Sequence, residues 1–131
     1  VLVARPGLKV GGTVCVAWDG GKEARRAARL AMPLLEKAQK VVILGAPKAS
    51  SRTFDPARLQ AYYAARGVNA EMLVLPETGD AAPALLQAAA AVGAEILVAG
   101  AFGHPRLQEF IFGGTTRTLL NSDQPSLFLS H

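Results

Sequence analysis

The sequence is poor in the residues from which disulfide frameworks, metal sites and aromatic platforms are built. Its 131 residues hold one cysteine, two histidines, one tryptophan and 6% aromatics in all. A lone Cys15 closes no internal disulfide, and its apolar surroundings read as a buried, inert thiol in a reducing compartment. Metal-ligand spacings of Cys and His are missing, as are the Walker pattern and the dinucleotide pattern GxGxxG. No apolar stretch approaches the ~20 residues that span a bilayer. The opening residues VLVARPG have neither the basic start nor the small-residue cleavage site of a signal peptide. These absences point to a soluble, cytoplasmic protein without a membrane partner.

Charge is also sparse, at 18% of residues, with 14 Lys and Arg against 10 Asp and Glu for a formal net charge of +4. So small and diffuse an excess suits a phosphate-bearing ligand and does not imply a nucleic-acid surface. Half of the residues are hydrophobic, enough at this length for one domain with an ordinary core.

Residues 14–18 (VCVAW) form a continuous apolar run between Gly11-Gly12 and Asp19-Gly20-Gly21, the pattern of a strand covered on both faces. From residue 22 to 40 the spacing becomes helical. Ala24, Ala27, Ala28, Ala31, Leu34, Leu35 and Ala38 form one stripe, and Pro33 predicts a bend or break. Further strands are predicted at 41–46 (VVILGA), 71–75 (EMLVL), 96–99 (ILVA) and 126–130 (SLFLS). Helices are predicted over 55–66, with Leu59, Tyr62 and Tyr63 as anchors and Gly67 as the stop, over 81–92, and over 115–120. This alternation predicts a doubly wound α/β sandwich of three layers around a mainly parallel sheet.

In such a sheet the ligand site lies beyond the carboxyl ends of the strands, where the strand order reverses. That rule selects Asp19-Gly20-Gly21 after the first strand and the glycine-rich stretch from Gly100 to Gly103 after the fourth. Asp19 reads equally well as a helix cap, as an acceptor for ribose hydroxyls, or as a holder of magnesium through water. Gly113-Gly114-Thr115-Thr116 opens the last predicted helix, where backbone N–H groups and the dipole favour phosphate. His104 lacks a companion nucleophile or orienting carboxylate and reads as a surface or capping residue. A phosphoacceptor receiver domain would need an aspartate at the end of the third strand, where only Glu77 and the later Asp80 stand. The Arg25, Arg26, Arg29 cluster reads as a solvated helix face, diluted by Glu23 and Glu36 and without an interleaved aromatic.

Gly100, Gly103 and Gly113, with two and nine residues between them, resemble the glycine signature of the universal stress protein family. VAWDGGKEARRA and FGHPRLQEFIFGGTTRTLL are similar to its first strand and last helix, and the resemblance runs from about Thr13 to the end. It implies a five-stranded sheet in the order 3-2-1-4-5, an adenine nucleotide alpha hydrolase-like fold, with ATP or a related adenine nucleotide between strands one and four. By the same resemblance Asp19 takes the ribose, or a magnesium ion through water. Ala46 meets the adenine by its backbone, Ala99 and Gly100 lie beside the nucleoside, and Gly103, Gly113, Gly114 and Thr115 line the phosphates. The chain departs from nucleotide-binding members at Gly114, which separates the last signature glycine from a hydroxyl, and at Phe102, where a small polar or basic residue is common.

The terminal strand would lie at a sheet edge and need a cover. Residues 1–10 are expected to be a strand and linker, the tail of a preceding similar domain in a tandem protein, with 11–131 as the complete unit. VLVAR resembles the last strand of the family's domain, and the resemblance implies that residues 1–4 pair antiparallel with 127–129 of SLFLS, in the same chain or in a partner's. The implied function is a regulatory, non-enzymatic sensor that binds ATP or AMP and dimerises through the terminal strand, as a homodimer or tandem pair. The alternative is a degenerate domain that has lost its nucleotide and serves as an interaction module.

Overall fold

The computed structural model describes residues 2–3, 11–46, 55–76, 82–100 and 125–130. The strands are β1 (Leu2–Val3), β2 (Thr13–Trp18), β3 (Lys40–Gly45), β4 (Ala70–Val74), β5 (Ile96–Gly100) and β6 (Ser126–Ser130). The helices are α1 (Lys22–Leu30), α2 (Met32–Lys37), α3 (Pro56–Ala64) and α4 (Ala82–Ala91). The helix predicted over 115–120 lies outside the described residues.

The sheet order is β1-β6-β5-β2-β3-β4. The five strands from β2 to β6 are parallel throughout, in the 3-2-1-4-5 order expected. β1 adds an antiparallel edge, with Leu2 opposite Phe128 and Val3 opposite Leu127, so β6 is covered as the edge argument required.

Each central strand is apolar all along because both of its faces are buried. Val14, Val16 and Trp18 of β2, Val41 and Ile43 of β3, and Ile96 and Val98 of β5 pack with Ala24, Ala27 and Ala28 of α1 and with Leu59 and Tyr63 of α3. The alternate residues Cys15, Val42, Leu44, Leu97 and Ala99 face Leu85, Ala88 and Ala89 of α4. One helix layer is therefore α1 to α3 and the other contains α4. The strand predicted at 71–75 is present as β4 at the sheet edge, where Met72, Leu73 and Val74 are 40–54% exposed. It has a hydrogen-bonded neighbour on one side only among the described residues.

Pro33 breaks the first long helix as its missing N–H demands. α1 stops at Leu30, and α2 restarts with Pro33 in its first turn, where a donor is not needed. The helical layer is tied together by Tyr63, whose hydroxyl donates to the Ala28 carbonyl at 2.9 Å from full burial. After α3 the chain reverses through Gly67 at φ +80°, with the Val68 N–H closing back on the Tyr63 carbonyl at 2.9 Å. Only glycine adopts that backbone readily.

Two acidic hydrogens lie in this core. Burial pushes the Cys15 thiol up to about 12, against a small opposing pull from Lys40. Burial, then the neighbouring Tyr62, raises the Tyr63 hydroxyl above its ordinary range. Folding holds both protons more tightly than the unfolded chain does. The associated stability is complete below pH 9.0, the ordinary value of a thiol, and is lost as pH rises toward the folded values. Denaturant melts should show a decline that begins near pH 9, with a slope approaching about 1.4 kcal/mol per pH unit for one group. In Cys15→Ala the onset should move up to the tyrosine range. The native thiol should also resist alkylation at pH 8 and react on unfolding.

Candidate functional site

The strand order reverses between β2 and β5. β3 and β4 extend the sheet from one side of β2, and β5 and β6 from the other. Pairing of β2 with β5 runs from Val14↔Ile96 to Val16↔Val98, and each strand continues past the last pair, to Trp18 and Gly100. The end of β3 is drawn alongside by the Ala46 N–H, which donates to the Trp18 carbonyl at 2.7 Å. Asp19, Ala46, Ala99 and Gly100 thus gather at the carboxyl ends of three adjacent strands. Gly103, Gly113, Gly114 and Thr115, along with Phe102 and His104, lie outside the described residues.

Two of the gathered residues have structural work that explains them locally. Asp19 is half-buried, and its Oδ1 accepts from the Gly21 N–H at 2.7 Å, closing a turn that starts α1. Gly20, inside the turn, is at φ +79°. A Cβ on Gly100 would lie 2.7 Å from the Ala24 nitrogen and 2.7 Å from the Glu23 carbonyl carbon. The first turn of α1 therefore packs directly on the end of β5, and glycine is the residue that permits it. Both Ala46 and Ala99 are buried, so these two positions offer backbone more than side chain.

A second concavity, of about 440 Å³, lies beside this crevice on the α1 and α3 side of the sheet. From β2 and α1 it is bordered by Trp18, Lys22, Arg25, Arg26 and Arg29, and from α3 by Asp55, Arg58, Leu59 and Tyr62. Asp55 caps α3, its Oδ1 accepting from the Ala57 N–H at 3.1 Å. The Arg66 guanidinium covers the Tyr62 ring at 3.6 Å from its centroid. The α1 arginines are exposed, as expected of a solvated helix face, and they border this cleft, whereas Glu23 and Glu36 do not. Arg58, Tyr62 and Trp18 join the arginines only in three dimensions. The available signal was the repetition of cations at helical spacing along residues 22–29.

Among the described residues no group of three or more His, Cys, Asp and Glu comes together as a metal site. Among them, too, no helix is long and apolar enough to cross a membrane.

The structural role of Gly100 is open to direct measurement. Gly100→Ala should destabilise the fold by about 1–3 kcal/mol, because backbone at 2.7 Å cannot move aside without displacing α1. A denaturant melt within error of the parent would show that this packing does not require glycine.

Several solved structures share the fold. A universal stress protein solved in complex with cAMP is 18% identical, with a TM-score of 0.66 over 94% of this chain and 99% of that one. A universal stress protein of Archaeoglobus fulgidus DSM 4304 is 20% identical with a TM-score of 0.71, over 92% of this chain and 44% of that one. A member of the same family from Burkholderia pseudomallei is 22% identical with a TM-score of 0.62, over 95% and 98%. No curated protein matches the chain in sequence. Residues 12–125 match the universal stress protein family, and with the strand order and glycine-led strand ends described above, the chain belongs to that family.

Proposed function

We infer that the chain is a regulatory sensor domain that binds an adenine nucleotide, ATP or AMP, in the crevice between the ends of β2 and β5. The observation that carries this reading is the gathering of Asp19, Ala46 and Ala99-Gly100 at the one place where the strand order reverses. Chemically the described residues suit the adenosine end of the ligand. Asp19 would accept from ribose hydroxyls, or hold magnesium through water. The Ala46 carbonyl would accept from the adenine amine, its N–H being committed to Trp18. Backbone N–H groups of Gly103, Gly113 and Gly114 and the Thr115 hydroxyl would meet the phosphates. That a structural neighbour is a complex with cAMP, an adenine nucleotide, supports the ligand class.

The mechanism is linkage and requires no bond to be broken, so the reading is not of an enzyme. A nucleotide that binds one arrangement of the glycine-rich segment more tightly shifts the population toward it and changes the surface offered to a partner. The partner surface is the edge of the terminal strand β6 that β1 covers here, where the corresponding segment of a homodimer partner or of a tandem pair would take the place of residues 1–10. β1 already lies antiparallel along β6, the geometry that such pairing uses.

A second reading, a degenerate domain that acts as an interaction module, has its own support. The turn held by Asp19 and the close packing at Gly100 account for both residues without a ligand. Calorimetric titration with ATP and magnesium separates the readings, along with analysis of the supernatant after denaturing the purified protein. Saturable heat at micromolar to submillimolar ATP, lost in Gly113→Val, is the result expected of the sensor. A folded protein that gives no heat to several millimolar and releases no nucleotide would leave the interaction module.

A further inference from the structure

Positive charge is concentrated in one place among the described residues. Of these, five basic side chains and one carboxylate border the cleft between α1 and α3. The described residues away from the cleft carry three basic groups, Lys37, Lys40 and Arg66, against five acidic ones, so the cleft stands out as cationic against an acidic remainder. Glu23, the one acid of α1, has its Cβ toward Gly100 on β5 and does not border the cleft.

Helix stability alone would disfavour this arrangement. Lys22, Arg25, Arg26 and Arg29 stand three and four residues apart along α1, where like charges repel. Lys22 and Arg58 lie in the first turns of their helices, where the dipole disfavours cations, offset in part by Glu23 in the first turn of α1 and by the Asp55 cap of α3. Arg29 stands in the last turn of α1, where the dipole favours it. An anion seated between the two helices would relieve both costs. Arginine predominates among the basic groups, and its planar fork suits bidentate contact with phosphate oxygens. The volume of about 440 Å³ falls in the range of small-molecule sites, about 300–1,000 Å³. A stacked nucleic-acid base finds little here, since Trp18 is 6% exposed and Arg66 already covers the Tyr62 ring.

We propose that the cleft between α1 and α3 binds an oligophosphate, a compact ion or small molecule carrying three or more phosphates, gripped by Arg25, Arg26 and Arg29 from one side and Arg58 from the other. Among the described residues Asp55 is the single carboxylate at the rim, and its use as the α3 cap explains its presence there. The Tyr63 hydroxyl bond to the Ala28 carbonyl ties α3 to α1 beneath the cleft, so the arginines are borne on two mutually fixed helices. This site is separate from the crevice at the strand ends, and either can fail without the other.

The test is calorimetry of inorganic tripolyphosphate with the full chain. One equivalent should bind, and the affinity should fall severalfold between about 0.1 M and 1 M salt, as the Debye length shrinks from about 10 to 3 Å. Arg25→Gln and Arg58→Gln, exposed positions on different helices, should each weaken binding by about tenfold or more. Their melting temperatures should stay at or slightly above the parent value. Lys37→Gln removes the same charge from an exposed position that does not border the cleft and should keep the parent affinity. The proposal is overturned by an absence of binding at low salt, by equal losses in all three variants, or by parent affinity in either arginine variant. Orthophosphate binding as tightly as tripolyphosphate would also overturn it, as would tighter binding of single-stranded oligonucleotides that strengthens with their length.

Discussion

The backbone of α1 at Glu23 and Ala24 lies where any side chain at position 100 would have to be, and much of the molecule's layout follows from that contact. For the helix to reach β5, the chain must turn immediately after β2. The Asp19 carboxylate, bonded to the Gly21 N–H across a glycine at positive φ, makes that turn. Once the first turn is seated on Gly100, the alanine stripe of α1 descends over β2 and β5. Small side chains keep the helix close to the sheet, and the cations of the remaining helix surface face the groove beside α3.

Two concavities arise from the same helix start and are of different kinds. The crevice at the strand ends is backbone-rich: Ala46, Ala99 and Gly100 bring peptide groups, and Asp19 is its carboxylate. The cleft between the helices is side-chain-rich and cationic. Such a division is natural in a doubly wound sheet. Strand ends converge at the switch point and expose main chain, whereas neighbouring helices on one face leave a groove that their long side chains border.

Most of the fold was legible in the sequence because each element carries a local signature. β2, β3, β5 and β6 are short apolar runs bounded by glycine, proline or charge. Pro33 marked the interruption between α1 and α2, and Gly67 the end of α3. That β6 needs a cover followed from the cost of leaving an apolar edge open, and its antiparallel sense from the resemblance to the family. β4 was read as a strand, but its exposure was not foreseen, since a run such as EMLVL looks the same whether it lies inside a sheet or at its edge. Of the candidate site, Asp19 and Gly100 were legible from their positions after strands, Ala46 and Ala99 only through the resemblance to the family, and the structure brings all four to neighbouring strand ends. The glycine and threonine positions from 103 to 115 lie outside the described residues. The arginine cleft was passed over. Its halves, residues 22–29 and 55–62, are remote in the sequence, and Glu23, close to the arginines along the chain, does not border the cleft.

What the sequence determined by itself was periodicity and punctuation: which segments are buried on two faces, where helices start and stop, and that one carboxylate and a series of glycines follow the strands. Those properties depend on interactions within a few residues, and they survive being read one segment at a time. Only the tertiary structure decided which groups share a space. It showed that Gly100 is glycine because another element's backbone occupies its side-chain volume. It also showed that five basic side chains from two remote segments gather between two helices. Both depend on the distance between elements remote in the chain, which is set by the packing of α1 and α3 on a common sheet.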